Sequence, residues 1–202
     1  MFRISEFLPG PIMPFRLFLT SFVLFTLSLP SLVSAALGEG GQIVLVENEV
    51  ARSESGSRWS PAAKDDLVAW RELIRTGELS RAAVELSTGG LLRLSELTQL
   101  KLLPPAAENS DEGGKIDFAR GAAYFFSRSE KEADIETPSA SLNIRGTEFV
   151  IEVDSAGVTT ISMLDGLVSL ANAQGSVDLV SGERGIAEPG RAPRKTALLD
   201  AS

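Results

Sequence analysis

The sequence predicts an all-β domain, a β-sandwich or β-roll of short antiparallel strands with frequent Gly turns and at most one short helix. Three observations carry this. In the second half of the chain, turn signals recur about every ten residues: Asp154-Ser155-Ala156-Gly157, Asp165-Gly166, Asn172-Ala173-Gln174-Gly175 and Ser181-Gly182. Between them the apolar residues alternate, as in Phe149, Ile151 and Val153, or Val168 and Leu170. Alternation of this period buries one face of a strand and leaves the other polar. Beyond residue 35 no apolar run is long enough to span a membrane.

The elements follow in chain order. Leu17–Leu29 is almost entirely apolar, is preceded by Arg16, and leads through Pro30 to the small-x-small pair Val33 and Ala35. That pattern reads as a secretory signal peptide over residues 1–35. The alternative is an uncleaved N-terminal membrane anchor, although the run is short and Pro30 breaks it. Met13 starts a more compact signal than Met1 and is the expected initiator. Cleavage after Ala35 places the protein in the periplasm or outside the cell, with no stable membrane span. Residues 36–190 are then one β domain, and 191–202 a C-terminal tail.

Within the domain, Gln42–Val46 reads as a strand and Arg52–Ser60 as a polar loop. Ser60–Leu73 is ambiguous: a Ser cap followed by Pro61 in a first turn reads as a short helix. Ala82–Leu86 and Leu91–Leu94 are strands joined by the turn signal Ser87-Thr88-Gly89-Gly90. Leu97–Leu103 alternates until Pro104-Pro105, and residues 106–114 read as an acidic flexible loop. Ala119–Phe126 is a strand carrying Tyr124, Phe125 and Phe126. Strands then follow at Phe149–Val153, Thr159–Leu164, Val168–Leu170 and Val177–Leu179.

Composition excludes several chemistries. The chain has no histidine and no cysteine. Ser-His-Asp and Cys-His nucleophile systems and His-based zinc sites are therefore impossible. The formal net charge of −8 disfavours a phosphate-binding surface, so no nucleic-acid partner is expected. No cofactor and no metal ion are expected either. The acidic stretch Glu108–Glu112 could offer oxygen ligands to Ca²⁺, but it lacks the Asp-x-Asp-x-Asp-Gly order and reads as a solvated loop. Asp65-Asp66 and the pair Asp154 and Asp165 are the carboxylates a hydrolase would need; surface charge is the simpler reading. Gly89-Gly90 and Gly113-Gly114 are turn pairs, without the helix and lysine of a phosphate loop.

The stretch Thr137-Pro138-Ser139-Ala140-Ser141-Leu142-Asn143-Ile144-Arg145-Gly146-Thr147-Glu148-Phe149 is the most distinctive in the chain. It resembles the signature of the FecR domain, a periplasmic all-β module of iron-citrate uptake regulators. Further pieces occur in the family's order: Trp59-x-Pro61, Ile74-Arg75-Thr76-Gly77, Ser80-Arg81-Ala82, Gly121-Ala122-Ala123-Tyr124-Phe125, Leu164-Asp165-Gly166 and Ser181-Gly182-Glu183. The resemblance runs from about Gly41 to Pro189. It implies a loop and then a strand near Leu73–Thr76, in place of the helix. Only about a dozen residues precede the apolar run, so the chain is expected to be a stand-alone exported FecR domain without the cytoplasmic anti-sigma region.

The expected function is therefore a non-catalytic periplasmic or exported binding module in envelope sensing or signalling, with an envelope protein as partner. A cell-wall or glycan-binding accessory is the first alternative, suggested by Tyr124-Phe125-Phe126 as a stacking platform. A carboxylate-based hydrolase is the second. Thr137, Pro138, Arg145, Gly146, Thr147 and Phe149 are the family-signature residues. Two readings stand for the Arg-Gly-Thr corner. It is either a tight turn, with Gly146 at positive φ, or a partner contact made by Arg145 and Thr147. The structural reading is preferred, and no residue is assigned a catalytic role.

Overall fold

The computed structural model describes residues 39–105, 112–129 and 132–197. The segment read as a signal peptide, and residues 106–111 of the acidic loop, lie outside them. The described residues hold seventeen strands and no helix. They are β1 (Glu39–Glu47), β2 (Val50–Ser53), β3 (Ser60–Pro61), β4 (Leu67–Ala69), β5 (Leu73–Thr76), β6 (Arg81–Leu86), β7 (Gly90–Leu94), β8 (Gln99–Leu103) and β9 (Glu112–Ser127). There follow β10 (Glu132–Glu136), β11 (Ser141–Ile144), β12 (Glu148–Val153), β13 (Thr159–Asp165), β14 (Leu167–Asn172), β15 (Gly175–Val180), β16 (Glu183–Ala187) and β17 (Arg194–Ala197).

The pairings form two layers. Sheet A runs β4-β1-β6-β7-β9-β12-β13-β16-β17, all antiparallel. Sheet B runs β3-β2-β5-β8-β9-β10-β11-β14-β15. Among the described residues only β9 and β10 pair in parallel. Strand β9 belongs to both layers: Lys115–Arg120 pairs with β8, and Gly121–Ser127 with β7 and β12.

The core lies between the layers. In sheet A one row of cross-strand neighbours runs Ile43, Val84, Leu92, Phe125, Phe149 and Met163, all buried. In sheet B the matching row runs Leu102, Ile116, Ile135, Leu142 and Leu170, also buried. Burying each such side chain contributes about 1.5–3 kcal/mol of transfer free energy. Both rows belong to one continuous apolar cluster.

Three expectations need correction. The Ser60–Leu73 segment is not a helix. Its donors bond to neighbouring strands: Ala62 N to Val50 O, Asp65 N to Ile43 O and Arg71 N to Leu102 O. Asp65 and Arg71 also have positive φ, at 71° and 73°, which a helix cannot hold. The expected loop over 106–114 is shortened, since Glu112–Gly114 is part of β9. The expected tail supplies β17, which pairs with β16 from Arg194↔Ile186 to Ala197↔Glu183.

Candidate interaction surface

The signature residues fall at the two ends of β11. At one end, Thr137 closes the turn between β10 and β11: its N–H and its hydroxyl both donate to Ala140 O, each at 2.9 Å. The same hydroxyl accepts from Ala140 N and from the Thr159 hydroxyl. Thr159 also lies 2.8 Å from Ser139 Oγ, which donates to Ala187 O at 3.0 Å. Pro138 occupies the exposed tip, where its missing N–H costs nothing. This corner joins the β10–β11 turn of sheet B to β13 and β16 of sheet A through buried hydroxyls.

At the other end, Gly146 adopts φ 57° and Arg145 is exposed. Thr147 is fully buried; its carbonyl accepts from Ser127 N, and its hydroxyl has no hydrogen-bond partner among the described residues. Phe149 is in the core, its ring 5.2 Å from that of Phe125. Thr137 and Pro138 are thus not brought to Arg145 and Thr147, because the four residues of β11 lie between them.

The remaining candidates resolve individually. Of the aromatic triplet only Phe125 points inward; Tyr124 and Phe126 are half-buried on the outer face. The guanidinium of Arg93 lies 5.6 Å from the Tyr124 ring centroid, and that of Arg128 5.1 Å from Phe126. Asp66 accepts from Ala63 N and pairs with Arg52. Asp154 accepts from Ala156 N and Val158 N in its turn, and Asp165 pairs with Arg128 at 2.9 Å. These three carboxylates serve turns and ion pairs. Among the described residues no group of three or more carboxylates is placed to hold a metal ion.

The outer face of sheet A was not legible as a unit in the sequence. Register puts Leu45, Ala83, Arg93, Tyr124, Val150, Ser162, Arg184 and Thr196 in one row across eight strands. The adjacent row holds Glu85, Leu91, Phe126 and Glu148. The outward positions of sheet B are more polar: Lys101, Asp117, Glu136 and Ser141 form one of its rows. The Tyr, Phe and Arg side chains of this face are of the types enriched at protein interfaces. Tyr124 is oriented on it by a 2.7 Å hydrogen bond to Glu148. The Glu148 carboxylate, by accepting that proton, holds the phenol above its ordinary value of 10.0, and burial adds to the effect.

Residues 72–169 match the family described as FecR protein. Over those residues, just under half of its length, the chain is similar to the FecR family, and its all-strand fold is consistent with a FecR domain. Two crystal structures of a "putative anti-sigma factor" from Parabacteroides distasonis ATCC 8503 share the fold, each with TM-score 0.53 and 19% identity. Each comparison covers 62% of this chain and 59% of that one, so the likeness spans less than two thirds of the neighbour's length. No curated protein matches the chain.

Proposed function

We propose that this protein is a non-catalytic, exported FecR-type interaction module that acts in envelope sensing or signalling by docking an envelope protein. The observation that carries the reading is the outer face of sheet A, where Tyr124, Phe126, Arg93 and Arg128 sit on a rigid antiparallel scaffold. The signature corners, in this reading, are architecture, with Pro138 and Arg145 their exposed side chains. The neighbour's description as an anti-sigma factor adds support for regulation through protein contact. The signal-like Leu17–Ala35 segment supports export.

The test is crosslinking and capture from envelope fractions with the full chain, beside an Arg93→Glu, Arg128→Glu variant shown to be folded. A discrete protein partner captured by the parent and lost by the variant is expected. Absence of any protein partner overturns the reading. N-terminal sequencing of the exported product tests cleavage after Ala35, and an uncleaved product leaves the anchor alternative.

A second reading keeps a specific observation. A polar cleft of about 470 Å³ is lined by Ser53, Ser55, Ser57 and Ser60, with Arg52 and Arg58 among its walls. Hydroxyl-rich walls suit a glycan. Retention on insoluble peptidoglycan, lost on Ser55→Leu, Ser57→Leu substitution, is the outcome that would favour it.

A further inference from the structure

We infer that the outer face of sheet A carries a side-chain socket over Ala83, which receives one apolar residue of an extended segment of a partner protein, flanked by carboxylates. This rests on the interaction reading above and names the chemistry of the partner at that same face.

The socket arises from residue size and register. In the row that crosses sheet A, Ala83 stands between Leu45 and Arg93. Its methyl group is the shortest side chain of the row, so the face dips there. Strand β1 shifts register between Ile43 and Leu45, an irregularity of the bulge type that re-aims neighbouring side chains. The resulting depression has a volume of about 400 Å³, and its lining includes Val44, Leu45, Ala83, Leu91, Arg81 and Arg93. It can take one branched or aromatic side chain. Leu45 remains 40% exposed at its edge. Apolar surface left at the wall of a concave site is what a partner side chain would cover.

The rim selects charge. Arg81 pairs loosely with Glu47 at 3.7 Å, and its side chain is 73% exposed. Glu47 is the one carboxylate of the lining. Arg93 lies over the Tyr124 ring and has no carboxylate partner among the described residues. Its guanidinium keeps a planar fork of donors suited to a carboxylate. In a chain of net charge −8, this apolar depression with more cationic than anionic lining stands against the charge of the whole. An acidic, apolar-centred segment therefore complements it and a basic one does not.

The test uses a blocked pentapeptide with a central leucine and two acidic residues on each side. It is titrated into the isotope-labelled protein and followed by amide chemical shifts. Two control peptides replace the four acids by lysines or the leucine by glycine. Expected are saturable shifts centred on Ala83, Leu91 and Arg93, with at least tenfold weaker binding of both controls. Arg93→Glu, an exposed position that leaves the fold intact, is expected to weaken the acidic peptide at least tenfold and to improve the lysine peptide. Equal binding of the acidic and lysine peptides, shifts confined to other surfaces, or no shift at the solubility limit overturns the socket. Capture of an envelope partner together with failure of the peptide would remove the socket and keep the interaction reading. Failure of both removes the two together.

Discussion

Thr147 shows how a motif residue can be buried for its shape. Its hydroxyl is enclosed without a hydrogen-bond partner among the described residues, and a Cβ added at Gly166 would lie 2.9 Å from its methyl group. Thr147→Val replaces the hydroxyl by a methyl of nearly the same volume and removes the desolvation cost. The expected change in stability is between zero and a gain of about 1 kcal/mol, read from denaturant midpoints. A loss above about 1 kcal/mol would show that the hydroxyl is satisfied. Tyr124 offers a second residue-scale check, because it is the only tyrosine in the chain. Its phenol is held above 10.0 by Glu148. A raised acid of this kind adds stability that is complete below 10 and is lost as pH rises through the folded value. Absorbance titration of tyrosinate should place the midpoint above 10, and Glu148→Gln should lower it.

At the scale of the element, β9 is where alternation alone misleads. Ile116 and Phe118 are buried before Gly121, and Ala123 and Phe125 after it, so the inward phase changes from even to odd. The change occurs because the strand passes from one sheet to the other at Gly121, whose φ is 98°. The ladder broken there is repaired by Thr98, whose hydroxyl donates to Ala122 O and accepts from Ala122 N. A Cβ at Gly121 would lie 2.4 Å from Thr98 Cα. Gly121→Ala is therefore expected to cost more than about 2 kcal/mol, combining backbone strain with overpacking. A thermal melt unchanged from the parent would contradict this.

Strand β17 gives a pH-dependent counterpart. The Val180 N–H, with Lys195 beside it, holds the Glu183 carboxyl below its ordinary 4.5, and Arg194 and Arg191 do the same for Glu188. A lowered carboxyl contributes stability that is present above 4.5 and is lost as pH falls through the folded value. Amide exchange at Arg194–Ala197 should accelerate as pH is lowered below 4.5, beyond its intrinsic pH dependence, while exchange in β12 should not. Equal responses would show that these contacts do not hold the edge.

For the whole molecule, the hydroxyl cluster at the β10–β11 corner is a tie between layers. Three hydroxyl protons, on Thr137, Ser139 and Thr159, serve four contacts, so Ser139 shares its proton between Ala187 O and Thr159. Thr159→Val keeps the volume but strands the groups around it. A loss of about 1–3 kcal/mol is expected from equilibrium unfolding. An effect no larger than that of Thr147→Val would mean that the tie contributes little. The same two-layer arrangement gives sheet A an outer face rich in Leu, Tyr, Phe and Arg, while the described outer row of sheet B is charged and polar.

The sequence by itself determined the all-strand class, most strand positions after residue 80 and the FecR signature, because period-2 alternation and Gly turns are local. It also placed Gly146 in a turn and Phe149 on an apolar face. Only the tertiary structure decided the rest. The Ser60–Leu73 segment lost its helical preference because strands β1, β2 and β8 supply acceptors for its backbone donors. The two signature corners separated because β11 lies between them. The candidate face required register across eight strands, from Leu45 to Thr196, and one-dimensional spacing carries no record of which strands pair.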